Sequence, residues 1–308
     1  MDQAQHVLVT GGSGRLGRSV VKGLLEAGHR VTSVDRHPPQ TPEPLAHYVS
    51  VDLMDTAQTQ AAFAEASPDA VISLAAIAVP FSAPEAVILK TNATIAHNVT
   101  SAALEAGCTR IVLASSPTVI GYGAPAGWLP EKFPVDENTP ARPWNAYGLS
   151  KLVAEQVASM FAAARGNDAK FASFRPCYVI APEEWEGAPT QQGHTVTERL
   201  ENPDLAAPSL FNYVDARDVT DFLLLLLEKM DVIENGSTFF VGAADALAIE
   251  PLSELLPHYV PGSEEIASVL EGSSPAFSIE RARTVLGWEP KRSWRTELAM
   301  QPAAPARG

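Results

Sequence analysis

Two cysteines, Cys108 and Cys177, are all that 308 residues contain. That is too few for a disulfide framework, and neither sits at a metal-ligand spacing, so a reducing cytoplasm is the expected setting and no metal is expected. Basic residues are also scarce. Lysine and arginine number 22 against 36 acidic residues, a formal net charge of -14. No broad basic face is left for nucleic acid or an anionic membrane surface. Long apolar runs are missing as well: the longest obvious one, Phe222 to Leu227, falls far short of the roughly 20 residues a membrane span needs. The opening MDQAQHVLVTGG has no basic region ahead of an apolar core, so no signal peptide is expected. Internal repeats are not visible either.

What is present can bury a sizeable core. At 46% hydrophobic and 19% charged residues, the chain suits one large domain or a domain with a small appendage. Short apolar runs alternate with helical patterns: HVLVT (His6 to Thr10), RVTSVD (Arg30 to Asp35), YVSVD (Tyr48 to Asp52), AVISLA (Ala70 to Ala75) and RIVLAS (Arg110 to Ser115). Two long helices are predicted at about Glu85 to Ala106 and Asn145 to Ala164. This alternation predicts an α/β fold, a doubly wound parallel sheet of Rossmann type, with a small C-terminal substrate-binding region. Residues 1–176 would form the cofactor domain, with elements of 209–242 returning to it, and 177–308 mainly the substrate region and tail. Pro182 to Pro208, rich in Pro, Gly and polar residues, reads as one long functional loop. The tail QPAAPARG is expected to fray.

The glycines of TGGSGRLG, Gly11, Gly14 and Gly17, fall between a strand and a helix. There a backbone can approach a pyrophosphate and offer it the free N–H groups of a helix start, with Arg15 and Leu16 in the same turn. Asp35 follows at the end of the next strand, where a carboxylate meets adenosine ribose hydroxyls. It favours NAD over NADP, although Arg36 beside it could accommodate a 2'-phosphate, so NADP stays open. Asp52 and Leu53, after the third strand, could cover the adenine or simply close a turn.

Tyr147 and Lys151 are four residues apart on a predicted helix, and six tyrosines and seven lysines in this chain leave roughly 0.14 chance pairs at any one spacing. Helical geometry puts them on one face. A tyrosine base at neutral pH needs its pKa lowered by about 3 units, and a neighbouring ammonium and a positive nicotinamide both favour the phenolate. Ser115 and Ser116 end a strand on the carboxyl edge of the sheet, where such folds bind ligands.

In this order the motifs resemble those of an extended short-chain dehydrogenase/reductase, the NAD-dependent epimerase/dehydratase family. The matching residues are Thr10 to Gly17, Asp35, Asp52-Leu53, LAA at Leu74, Ala75 and Ala76, Asn92, SSPTVIG from Ser115, Tyr147 with Lys151, Arg175-Pro176, YVDARDV from Tyr213 and LGWEP from Leu286. The resemblance implies bound NAD and a homodimer through the two long helices. It also implies Ser116 as catalytic serine, Tyr147 as acid/base and Lys151 as the group that holds the nicotinamide ribose and lowers the tyrosine pKa; Leu74, Ala75, Ala76 and Asn92 join the cofactor set.

The substrate segment departs from the nucleotide-sugar enzymes of that family. Tyr178 stands where they carry asparagine, Phe211 and Asn212 stand where an arginine would hold a diphosphate, and APEEWEGAP is acidic. Pro117 and Thr118 replace the Asp-Glu pair of sugar dehydratases. A small polar substrate follows: a free sugar, sugar acid or polyol, oxidised at a secondary alcohol. Ser115, Ser116, Tyr178, Gln192 and Asn212 are candidate contacts, with Gln191 and His194 beside them, while Trp185 could be a lid or simple packing. An epimerase using the same three residues is the alternative, and a non-catalytic dinucleotide-binding regulator a third reading.

Overall fold

The computed structural model describes residues 4–299; the tail from Gln301 lies outside them. Seven parallel strands form the main sheet: β1 (His6–Thr10), β2 (Arg30–Asp35), β3 (His47–Ser50), β4 (Ala70–Ser73), β5 (Arg110–Ala114), β6 (Lys170–Pro176) and β9 (Ser237–Val241), in the order β3-β2-β1-β4-β5-β6-β9. Strand succession reverses between β1 and β4. That switch point opens a crevice at the carboxyl ends of the strands.

Strand residues alternate between two cores because successive side chains point to opposite faces. Val7 and Val9 of β1, with Ile72 and Val112, face α1 (Arg15–Glu26) and α8 (Ala216–Lys229). Leu8, Val71, Ile111 and Leu113 face the other way, toward α3 (Glu85–Glu105) and α4 (Ala146–Arg165), with α2 (Thr56–Ala66) beside them. Burial on both faces explains why the strands read as nearly continuous apolar runs. The two long predicted helices are α3 and α4. Asn145 starts α4 by accepting a hydrogen bond from the Gly148 N–H at 2.8 Å, which satisfies one of the free donors at a helix start.

The predicted loop from Pro182 to Pro208 is a run of short helices instead: α5 (Pro182–Trp185), α6 (Val196–Glu201) and α7 (Pro203–Ala206), followed by a 3-10 turn. Proline opens α5 and α7, where its missing N–H costs nothing. Thr195 and Glu198 close a capping box on α6. Such short elements escape a search for apolar periodicity, which needs several turns. α5 and α6 pack into a small core of Ile180, Trp185, Val196, Leu200, Tyr213 and Leu247, with the two-stranded parallel pair β7 (Val179–Ile180) and β8 (Val214–Asp215), while Ala206 of α7 joins the main core. Trp185 is therefore a core residue; its indole N–H donates to Asp215 at 2.7 Å. The remaining helices are α9 (Leu252–Tyr259), α10 (Glu264–Ala267) and α11 (Trp294–Glu297). No helix among the described residues is long and apolar enough to cross a membrane.

Candidate active site

A cleft of about 690 Å³ runs along the carboxyl edge of the sheet, from the turn after β1 to the α5–α7 region. Gly11, Gly14, Arg15, Leu16, Gly17, Asp35, Arg36, Asp52, Leu53, Leu74, Ala75 and Ala76 all line it. Two glycines in the turn are sterically required. A Cβ on Gly11, at φ +70°, would stand 2.7 Å from the Ala75 backbone nitrogen, and one on Gly17 would stand 2.1 Å from the Gly11 carbonyl oxygen. No side chain caps the start of α1, so its N–H groups remain available to an anion. The Asp35 carboxylate is oriented by the backbone N–H groups of Ser13 and Arg36, at 3.2 and 2.7 Å. These groups fit a dinucleotide: donors for a pyrophosphate at one end of a turn, a fixed carboxylate for ribose hydroxyls at the other.

Ser116, Tyr147 and Lys151 line the same cleft. Ser116 caps a 3-10 turn at Pro117–Ile120, and its Oγ accepts the Thr118 hydroxyl at 3.0 Å and the Thr118 N–H at 3.3 Å, leaving its own proton free to donate. Tyr147 packs its ring against Ile88 and Ala146. Burial pushes its hydroxyl up to about 12, while the Ser116 hydroxyl acts in the opposite direction. Lys151 has its Nζ 5.7 Å from the tyrosine ring centroid and donates to the Ala114 carbonyl at 3.1 Å. Burial lowers the ammonium to about 8, because no carboxylate compensates it.

A buried cation held this way is costly. The folded chain binds the Lys151 proton less tightly than the unfolded chain, so its cost is present in full below about pH 8 and is relieved as pH rises through that value. Lys151→Met should therefore raise the melting temperature of the ligand-free protein at pH 7 by roughly 2 to 5 °C. Thermal melts at pH 7 and pH 9.5 check the sign, since the gain should shrink at the higher pH.

Beneath these residues is a pair that sequence reading missed. Glu155, one helical turn beyond Lys151, accepts both Arg175 Nε at 2.7 Å and Nη2 at 2.9 Å, and both side chains are buried. Ser115 donates to the same carboxylate at 2.5 Å and lies 3.4 Å from the Lys151 carbonyl. Ser115 thus borders the cleft while its hydroxyl serves the ion pair, because its position at the end of β5 turns it toward α4. The available signal was the spacing of Lys151 and Glu155, a second step of four along one helix face.

Asn92, expected among the cofactor residues, does not line the cleft. Its amide accepts the Ile77 N–H at 2.8 Å and donates to the Ile77 carbonyl at 3.1 Å and Ser150 Oγ at 3.0 Å, tying the segment after β4 to α4. Tyr178, Gln191, Gln192 and Asn212 line the cleft. Asn212 uses its side chain on backbone: it accepts the Tyr178 N–H at 2.8 Å and donates to the Ser209 carbonyl. His194 lies off the cleft, its carbonyl bonded to Thr190. Tyr122 and Thr118, not anticipated, also line it. Arg15 and Arg18 of α1 lie against Glu184 and Glu183 of α5. No group of three or more His, Cys, Asp and Glu side chains among the described residues is placed to hold a metal.

Over nearly its full length the chain is similar to UDP-glucose 4-epimerase of Lacticaseibacillus casei: 25% identity over 313 residues, 92% of this chain and 91% of that protein. A shorter stretch, 169 residues and 50% of this chain, is 31% identical to UDP-glucose 4-epimerase 2 of Arabidopsis thaliana but spans only 46% of it. Among solved structures, a short-chain dehydrogenase/reductase superfamily protein from Agrobacterium tumefaciens with bound NAD matches with a TM-score of 0.70 at 24% identity, over 96% of this chain and 95% of that one. UDP-glucose 4-epimerase of Thermotoga maritima, solved with UDP-glucose, matches with a TM-score of 0.68 at 22% identity, over 95% of each chain. At these identities the structural matches speak for the fold. Residues 7–242, from the first strand through the last strand of the sheet, match the NAD dependent epimerase/dehydratase family, and the chain belongs to it.

Proposed function

We propose that this protein is an NAD-dependent sugar epimerase, in which a secondary alcohol is oxidised and then reduced from its other face. The observation that carries this reading is the convergence of Ser116, Tyr147 and Lys151 on one cleft with the glycine turn and Asp35. Relatives that align over nearly the whole chain bear epimerase names. They favour inversion over the net oxidation of a free sugar, sugar acid or polyol.

Bound NAD would supply a reversible hydride acceptor. Tyr147 takes the proton of the sugar hydroxyl and later returns it, while Ser116 holds the same oxygen through both steps. Lys151 keeps the phenolate accessible, since an ammonium beside a buried tyrosine favours its ionised form. Asp35 supports NAD over NADP.

The experiment is an inversion assay at C4 with UDP-glucose, UDP-galactose, galactose and galacturonate, following NADH at the same time. Interconversion without net NADH supports the epimerase; stoichiometric NADH overturns it in favour of a dehydrogenase. Cytoplasmic residence and a homodimer through α3 and α4 complete the proposal. Leu149 and Met160 are 39% and 50% exposed on α4, apolar surface that a partner would cover. Sedimentation at twice the chain mass is the expected result.

A further inference from the structure

Two cations are buried in this cleft region without a carboxylate. One is Lys151, which acts on Tyr147. The other is Arg199 on α6, about 1% exposed, and the ion pairs among the described residues do not include it. Its Nη1 donates to Gln192 Oε1 at 2.6 Å and its Nη2 to Ser209 Oγ at 3.3 Å. Its Nε has no hydrogen bond, and neither does the buried Tyr178 hydroxyl. The guanidinium lies 4.1 Å from the Tyr178 ring centroid. A buried guanidinium answered by neutral acceptors and a ring face is poorly compensated. Buried arginine elsewhere in this chain is answered differently: Arg175 has Glu155 in a two-bond fork.

The neighbours of Arg199 open onto the cleft. Tyr178, Gln192 and Ser209 all line the cleft that holds Tyr147, and the Thr195–Glu198 capping box fixes the helix that carries the arginine. Gln192 is exposed on a turn that ends at Gly193, so its side chain can leave without unfolding anything. Its amide oxygen is a neutral stand-in for a charged one. Between Pro176 and Tyr213, Arg199 is the only arginine or lysine.

We propose that Arg199, with Tyr178 and Ser209, recognises one anionic oxygen group on the sugar substrate, a carboxylate or a phosphate, which takes the place of the Gln192 amide oxygen. The planar fork of arginine suits either group, through two parallel N–H donors. This deepens the epimerase reading, and rests on it for the sugar.

The test is titration calorimetry of the NAD-loaded protein with galactose, galacturonate and galactose 1-phosphate. At least one anion should bind at least tenfold more tightly than galactose, and which one does so identifies the group as carboxylate or phosphate. Gln192→Glu, a near-isosteric change on an exposed turn, places a carboxylate against Arg199; it should erase the anion preference to within about twofold and raise the melting temperature. Arg199→Met should erase the preference as well, with Arg199→Lys restoring part of it. Equal binding of all three sugars by the unaltered protein, or a preference that survives Gln192→Glu, overturns the proposal. If Arg199→Met does not fold, Gln192→Glu and the unaltered protein still decide. Failure of C4 inversion in the presence of anion preference would sink the epimerase reading alone, because these titrations need no turnover.

Discussion

Tyr147→Phe is expected to lose about 10³-fold in turnover, within the range for removal of a positioned acid/base group and equal to about 4 kcal/mol of barrier. NAD affinity should stay within a few-fold. The reason lies in what the substitution spares: the ring stays packed on Ile88 and Ala146, and Ser116 keeps its two contacts from Thr118. Only the hydroxyl that burial holds at about 12 is removed. Ser116→Ala should cost less, about 10²-fold, because it removes a hydrogen bond to the substrate oxygen and leaves the proton acceptor in place. Steady-state turnover and NAD titration on the same preparations check both. Loss of NAD binding in Tyr147→Phe would instead assign the hydroxyl a role in holding the cofactor.

Glu155→Ala carries the largest expected effect on stability. Arg175 would be left buried with its charge unanswered, over the Phe240 ring at 5.0 Å, and breaking such a pair from one side costs about 3 to 5 kcal/mol. In a chain of this size that corresponds to a fall in melting temperature of roughly 5 to 8 °C. The damage should reach the site too. Ser115 donates to the same carboxylate, and the next residue is Ser116, so the end of β5 loses its anchor to α4. Replacing both partners, Glu155→Leu with Arg175→Met, should recover more than half of the loss, because an apolar pair of similar volume has no charge to desolvate. Thermal melts of the single and double variants separate the two costs; a single variant as stable as the parent would show that the pair is solvated in practice.

The contrast between Ser116 and Glu155 shows what could be read from the chain. The glycine turn, Asp35 and the Tyr147–Lys151 spacing are local patterns: each ties a residue type to a strand end or one helix face, and periodicity alone finds those positions. The parallel sheet was legible for the same reason, since strands buried on both faces become apolar runs. Partners far apart in sequence were not. Arg15 lies against Glu184, and Arg175 reaches back to Glu155; no local rule pairs them. Asn92 falls in a motif that the family resemblance assigns to the cofactor, yet its amide is spent on Ile77 and Ser150. The segment after Pro182 carries no helical signal because its helices are four to six residues long, too short for a periodic signature. Arg199, visible as a lone basic residue, gained meaning only with its burial and its missing carboxylate.

Transfer of an isotope tests the proposed chemistry most directly. A sugar substrate carrying deuterium on the inverting carbon is converted in ordinary water, and the product and cofactor are examined by mass spectrometry. An epimerase built on Tyr147 returns the label to the same carbon with inverted configuration and leaves no net NADH. Deuterium accumulating in free NADH, or washing out into water, would contradict it.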